Sequence, residues 1–371
     1  MKILYHHRTL GDGAEGIHIR EMIAAFRSLD HEVIVSGPVG EGEKNNQNRV
    51  GVFSRIKKYL PGIIFEFCEI GYSVYCFLSS LFKLFKFKPD FVYDRYITFN
   101  IGCVLAARVM KVPVFLEVNA PLALERSEQE DEKLYLEYVA FAIEKWVCKN
   151  ASKTIAVSTP LKNYLCDRHV PVSQIVVMPN GVNPDKFRPK PKNIKLLQDM
   201  GVGKDDIVVG FTGVLRPWHG LDILIDAVTA LIKKEVKLFL LIVGDGPIRE
   251  SLEQKIKSVG LKEKTVITGR LKHESVPEYV NLFDIAVSPK ATFYASPMKV
   301  VEYMSLGKVS VVPNTSNFQD LIDSGVNGLM FESANLISLE NTLRTLCNDA
   351  KLRQQIGANA REKVENRLNW R

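Results

Sequence analysis

Ile3-Leu4-Tyr5-His6 runs through Leu10-Gly11-Asp12-Gly13-Ala14-Glu15-Gly16 into Ile19, Met22, Ile23, Phe26 and Leu29, and then into Glu32-Val33-Ile34-Val35. The first four residues are mostly apolar and β-prone. The glycine-rich stretch is loop chemistry. The following apolar residues recur at helical spacing, and the last four form another short apolar run. This is a strand–loop–helix–strand unit, and it predicts a parallel sheet covered on both faces. Phe91-Val92-Tyr93, Val114-Phe115-Leu116 and Thr154-Ile155-Ala156-Val157 continue the series.

A second series starts near Ile207. It contains the strand Val208-Val209-Gly210-Phe211, a helix over 221–230, and the strand Leu238 to Val243 with its Gly244-Asp245-Gly246-Pro247 turn. Val266-Ile267, Ile285-Ala286-Val287 and Val309 to Val312 follow. Between the series lie Pro179-Asn180-Gly181 and Pro184, Pro189 and Pro191, which are turn and linker residues. A chain of 371 residues accommodates two domains. The expected domains are 1–182 and 183–371, each an α/β half.

Composition narrows the class. Hydrophobic residues make up 46% of the chain, enough for two cores. The six cysteines lack any Cys-x-x-Cys pair, so neither a zinc site nor a disulfide framework is expected, and a reducing, cytoplasmic setting fits. The N-terminus reads as a strand, not a signal peptide. The net charge of +7 comes without a basic aromatic motif, so nucleic acid is not the expected partner. An anionic substrate or an anionic membrane face accounts for it equally well. Leu60 to Phe87 is rich in Phe, Leu, Ile and Tyr, interrupted by Glu66, Glu69 and Gly71, and flanked by Lys57, Lys58, Lys83, Lys86 and Lys88. It predicts a helix, either partly buried or lying peripherally on a membrane.

Three segments carry chemistry. Gly11, Gly13 and Gly16 match Gly-x-Gly-x-x-Gly before a helix, where free N–H groups favour anions, but no ribose-binding acid follows convincingly. Gly213 to Gly220 leaves a strand with Arg216 and His219 bracketing the turn, where a diphosphate could lie. In the third, Ser288 to Lys308, a loop precedes a helix expected to start with Ser296 as N-cap and Pro297 at the first helical position. Glu302 lies about 1.5 turns into that helix and can accept hydrogen bonds from a vicinal diol. The bland alternative is a Glu302–Lys299 pair on a solvated face. These loops, with Gly244 and Gly269-Arg270-Leu271, follow strand ends, where open α/β sheets bind ligands.

The order Pro179-Asn180-Gly181-Val182, Gly213 to Gly220, Val243 to Pro247, Gly269, Ser296-Pro297-Met298-Lys299, Glu302-Tyr303-Met304, Gly307-Lys308, Asp320-Leu321-Ile322 and Gly325 to Gly328 resembles glycosyltransferase family 4 over nearly the whole chain. The resemblance implies a GT-B fold, two Rossmann-like domains facing each other across a cleft. It also implies retaining, metal-independent transfer from an NDP-sugar co-substrate with no other cofactor. Polysaccharide or glycoconjugate synthesis, on a glycan, lipid-linked or small-molecule acceptor, is the implied setting. By resemblance, Glu302 holds the donor ribose, Ser296, Pro297, Met298 and Lys299 meet the diphosphate, Gly13 adds a backbone contact, and Arg270 borders the base.

Departures from the family pattern are specific. The first glutamate of the family's paired motif falls at Tyr294. The diphosphate clamp positions fall on Val214 and His219, with Arg216 two positions on as a replacement. The histidine expected after Val114-Phe115-Leu116 is absent, and Asn119 stands there, in Glu117-Val118-Asn119-Ala120-Pro121. Arg216, His219 and Asn119 are therefore the catalytic candidates, with His219 expected as a cation. Arg95 and Glu117 are acceptor-side candidates, Arg95 facing an anionic acceptor or pairing with Asp94. The resemblance further implies a last helix returning to the first domain, and with the sequence ending at Leu368-Asn369-Trp370-Arg371 that helix is expected to be short or missing. A sugar-nucleotide epimerase, a nicotinamide-dependent oxidoreductase and a non-catalytic donor-binding subunit remain as alternatives.

Overall fold

The computed structural model describes residues 1–9, 13–37, 61–128 and 134–370. Gly11, Lys57 and Lys58 lie outside them. The chain divides into unit 1, Met1–Pro179, and unit 2, Asn180–Trp370. The division falls three residues before the 182/183 boundary read from the prolines. Asn180 belongs to unit 2 because its backbone N–H donates to Ser296 Oγ at 2.9 Å and its Nδ2 to the Ser296 carbonyl at 2.7 Å.

Unit 1 comprises β1 (Lys2–His6), α1 (Ala14–Ser28), β2 (Glu32–Ser36), α2 (Gly62–Phe87), β3 (Phe91–Arg95), α3 (Gly102–Val109), β4 (Val114–Val118), α4 (Leu122–Glu128), α5 (Glu137–Asn150), β5 (Lys153–Ala156), α6 (Thr159–Asp167) and β6 (Ile175–Val177). The strands pair in parallel in the order β2-β1-β3-β4-β5-β6. Strand order reverses at β1 and β3, so their carboxyl ends form a switch point. Ile3, Leu4, Val92, Leu116 and Ala156 are essentially solvent-free, as strands covered on both faces require.

Unit 2 comprises α7 (Ile194–Asp199), β7 (Ile207–Thr212), α8 (Leu221–Lys233), β8 (Leu238–Val243), α9 (Arg249–Ser258), β9 (Thr265–Ile267), α10 (Val276–Asn281), β10 (Ile285–Val287), α11 (Met298–Ser305), β11 (Val309–Pro313), α12 (Ser316–Gln319), β12 (Leu329–Phe331), α13 (Leu336–Asn348) and α14 (Ala350–Arg367). Its parallel order is β12-β11-β10-β7-β8-β9, with the switch point at β10 and β7. Alternate residues feed two cores. Val209, Phe211, Leu240 and Ile242 pack with α8 and α13, whereas Val208, Leu241 and Val243 pack with α11 and α14. The last of these helices, α14, packs on α11 and β11 within unit 2.

Candidate functional site

In unit 2 the site starts where β7 ends. Gly213 has φ +137°, a conformation that favours glycine. A Cβ there would lie 2.8 Å from Lys299 Nζ, so the ammonium of α11 lies directly against this glycine. Lys299 Nζ also stands 4.1 Å over the Phe211 ring. The Nζ atom is out of solvent and has no hydrogen-bond partner. Burial lowers its pKa to about 7, with the nearby Glu302 charge working the other way. Lys299 and Glu302 share one face of α11 by their three-residue spacing. They do not pair with each other on a solvated face. Glu302 is buried and its Oε1 lies 3.1 Å from His273 Nε2.

The expected start of this helix needs correction. α11 begins at Met298 with Pro297 as N-cap, and no side chain caps it. Ser296 is occupied instead with Asn180. That leaves the leading amides of α11 without a side-chain acceptor, the arrangement that suits an anion. Two buried groups hold the helix in place. The Tyr303 hydroxyl accepts from the Thr212 N–H at 2.7 Å and lies 3.0 Å from Thr212 Oγ1, tying α11 to the end of β7. Asn317 Nδ2 donates to the carbonyls of Thr292 and Ala295, bracing the loop that carries the half-buried Tyr294.

His219 does not supply the expected positive charge. Burial, reinforced by the charges of Lys299 and Arg216, lowers its pKa to about 4. Its Nδ1 lies 2.7 Å from the Val214 carbonyl, which can only accept, so Nδ1 carries the proton and the ring is neutral near pH 7. Arg216 is exposed, with its guanidinium 5.3 Å over the Trp218 ring. Gly244, expected to meet the donor, has a structural reason to be glycine. A Cβ there would fall 2.0 Å from the Gly213 carbonyl oxygen. The β8 turn is laced further by Gly246 N–H to Asp245 Oδ1 at 2.8 Å and by Arg249 Nη1 to Asp245 at 3.4 Å. Arg270 is exposed beside Gly269, whose φ is +78°.

In unit 1, polar groups gather at the ends of β1, β3 and β4. His6 Nδ1 lies 2.6 Å from Asp94 Oδ1, both buried. Burial opposes a charge on His6, but Cys103 and Asp94 outweigh it and hold its pKa well above the usual value. Asp94 is thus taken by His6. Arg95 pairs with Glu117 instead, Nη1 to Oε2 at 3.6 Å, which corrects the Arg95–Asp94 alternative. Glu117 also contacts His18 Nε2. Burial alone would raise the Glu117 pKa, yet His18 first, then Arg95 and Asn119, bring it below the usual value. The two acceptor-side candidates are therefore brought together and neutralise each other, with half-buried Asn119 beside them. The histidine missing after β4 has a counterpart from α1, since His18 reaches that strand's glutamate. Gly13 precedes α1 in extended backbone, and a Cβ there would meet the Glu15 carboxylate at 2.5 Å. Ligand atoms of His6, Asp94 and Cys103 lie within 4.8 Å of one another, the group among the described residues that could hold a metal ion.

His18, His273, Asn317 and Tyr303 went unassigned in the sequence. Tyr303 had a signal, its place in Glu302-Tyr303-Met304. The other three lie 99, 29 and 22–25 residues from the groups they touch, and no local pattern marks them.

The family model described as Glycosyltransferase Family 4 matches residues 15–186, and that described as Glycosyl transferases group 1 matches residues 194–363. The chain is a family 4 glycosyltransferase. This glycosyltransferase is 25% identical over 361 residues to the uncharacterised glycosyltransferase MJ1178 of Methanocaldococcus jannaschii, covering 96% of this chain and 91% of that one. It is 25% identical over 299 residues to the Escherichia coli UDP-Gal:alpha-D-GlcNAc-diphosphoundecaprenol alpha-1,3-galactosyltransferase, covering 79% and 75%. Anabaena Alr3699/HepE, solved in complex with UDP, shares its fold with a TM-score of 0.72 at 19% identity, covering 100% and 96%. The two parallel six-stranded sheets of the glycosyltransferase are those of the GT-B class.

Proposed function

We propose that unit 2 binds the nucleoside diphosphate of a nucleotide-sugar donor, with Lys299 as the principal cation on the diphosphate and Glu302 on the ribose. The observation that supports this most is the Lys299 ammonium, buried beneath Gly213 without any acceptor. A buried lone cation is costly in a folded chain unless a bound anion completes it. The uncapped start of α11 adds N–H donors on the same element. The clamp positions lost at Val214 and His219 are thereby compensated from α11, with exposed Arg216 free to swing in from the β7 turn.

Transfer breaks the bond between the sugar carbon and the diphosphate oxygen, and the electron pair leaves with the diphosphate. The acceptor hydroxyl oxygen bonds to that carbon, and its proton passes to the departing phosphate oxygen. Negative charge grows where Lys299 and the α11 amides lie, so these groups favour departure. This reading assigns the charge of the departing diphosphate to Lys299 and the α11 amides, without a metal ion. Transfer on the same face of the sugar gives retention. UDP is the first nucleotide to test, because the Anabaena neighbour was solved with it. A polyprenyl-diphosphate or glycan acceptor is suggested by the Escherichia coli relative.

The test is titration of UDP and UDP-hexoses into the wild type and Lys299→Met, followed by turnover with an acceptor panel. Affinity for UDP should fall about 10- to 100-fold in the variant, the worth of one charged hydrogen bond. Equal affinities would remove Lys299 from the diphosphate. Conversion of donor without any acceptor would indicate an epimerase in place of a transferase.

A further inference from the structure

Helix α2, Gly62–Phe87, is amphipathic in the reverse of the usual sense. Its polar residues face the protein. Glu66 accepts from the backbone N–H groups of Tyr135 and Leu136 at 2.8 and 2.7 Å. Glu69 pairs with Arg126 at 2.9 Å. Ser73 Oγ accepts from the Ile101 N–H at 3.0 Å, Cys76 Sγ lies 3.3 Å from His6 Nε2, and Lys83 Nζ donates to Ser36 Oγ at 2.6 Å. The start of α3 comes so close that a Cβ on Gly102 would lie 2.3 Å from the Ser73 carbonyl oxygen. Contacts thus run from one end of α2 to the other.

The apolar residues face outward. Ile64, Phe67, Val74, Tyr75, Leu78, Phe82 and Phe85 are 45–71% exposed. Spaced three, four or seven residues apart, with only Val74 and Tyr75 adjacent, they lie in one stripe, roughly 30 Å long at 1.5 Å per residue. Tyr135 and Tyr138 near the helix start are also exposed, at 59% and 92%. An apolar patch of this extent marks an interaction surface, not ordinary surface scatter. Its charges select the partner. Exposed Lys86 and Lys88 close the helix, while its only two carboxylates, Glu66 and Glu69, are turned inward and occupied. A second copy docked helix to helix would bring these lysines no opposing carboxylate from α2. An anionic headgroup layer meets both demands, taking the lysines at its phosphates and the aromatic stripe at the acyl boundary.

We propose that the outward face of α2 seats unit 1 on an anionic lipid bilayer, with the helix axis in the membrane plane. By length and mean hydropathy of 1.3 the helix could cross a bilayer. Crossing would strip every one of the contacts above from Glu66, Glu69, Ser73 and Lys83, whereas lying flat keeps them all. The proposal does not depend on the donor reading.

The experiment is flotation of the full chain with phosphatidylcholine vesicles, with and without phosphatidylglycerol, at low and high salt. Binding should require phosphatidylglycerol and weaken with salt. Leu78→Ser with Phe82→Ser should reduce it by at least about tenfold, from lost apolar burial, while UDP titration stays unchanged. Lys86→Gln should reduce it about fivefold, and Lys86→Gln with Lys88→Gln more, which keeps the test decisive should the apolar variant fail to fold. Absence of flotation, or undiminished flotation of both variants, overturns the proposal. So does resistance to alkaline carbonate extraction, which would make α2 a span. A stable dimer dispersed by the Leu78 and Phe82 changes would make the partner a second copy.

Discussion

Lys299 sets two opposing pH dependences. An ordinary lysine in the unfolded chain holds its proton up to about pH 10.4. In the fold, burial lets it go near pH 7. Between those values the unfolded chain binds more protons, so this residue makes the ligand-free protein more stable as pH rises. Diphosphate binding needs the proton and follows the reverse trend. UDP affinity should decline from about pH 7 upward by up to tenfold per unit, with proton uptake visible in calorimetry across buffers of different ionisation enthalpy. Lys299→Met should flatten that decline and raise the melting temperature of the ligand-free protein at pH 7, because it removes an uncompensated buried charge. A variant that melts lower and keeps the wild-type pH profile would contradict this. His219 enters neither trend. It is neutral above its pKa of about 4, so an imidazole titration by NMR should stay silent from pH 6 to 9. The sequence offered an Arg–His turn as the cationic element, since residue type suggests charge. Which of these groups stays charged is set by desolvation and neighbours that the motif does not display.

At the scale of elements, α11 and β7 act as one positioning device. Tyr303 is fully buried, and its hydroxyl serves both the N–H and the hydroxyl of Thr212. Tyr303→Phe keeps the ring but leaves the buried Thr212 N–H without its acceptor, a cost of about 1–3 kcal/mol. The expected result is a stability loss in that range together with weaker UDP binding, as α11 drifts from Gly213. Measured by denaturant unfolding and titration, loss of stability without any loss of affinity would reduce Tyr303 to packing. The element itself was legible in Ser296 to Lys308, from its apolar spacing. Its start was not, because Ser296 has a better partner in Asn180, 116 residues away, than in the helix N-terminus. The polar and apolar faces of α2 were likewise present as a pattern, but which face meets the protein was not written in it.

At the scale of the whole molecule, each unit has its own six-stranded sheet, and unit 2 has two cores of its own. A fragment spanning Asn180–Trp370 should therefore fold cooperatively and bind UDP with an affinity near that of the full chain, while transferring no sugar. Calorimetry and titration check this, and a fragment that folds but does not bind would show that donor affinity needs unit 1.

Short apolar runs separated by glycine turns and helical spacing could only become parallel sheets buried on both faces, so the α/β architecture, its duplication and the strand-end loops were determined by the sequence alone. Local chemistry decides such elements, since period and turn residues act within a few positions. The tertiary structure alone decided that Lys299 Nζ is buried without a hydrogen-bond acceptor, that His219 is neutral, that His18 and Arg95 converge on Glu117, and that α2 shows its greasy side outward. Each of these depends on burial and on contacts between residues far apart in the chain, and solvent exclusion is a property of the packed whole.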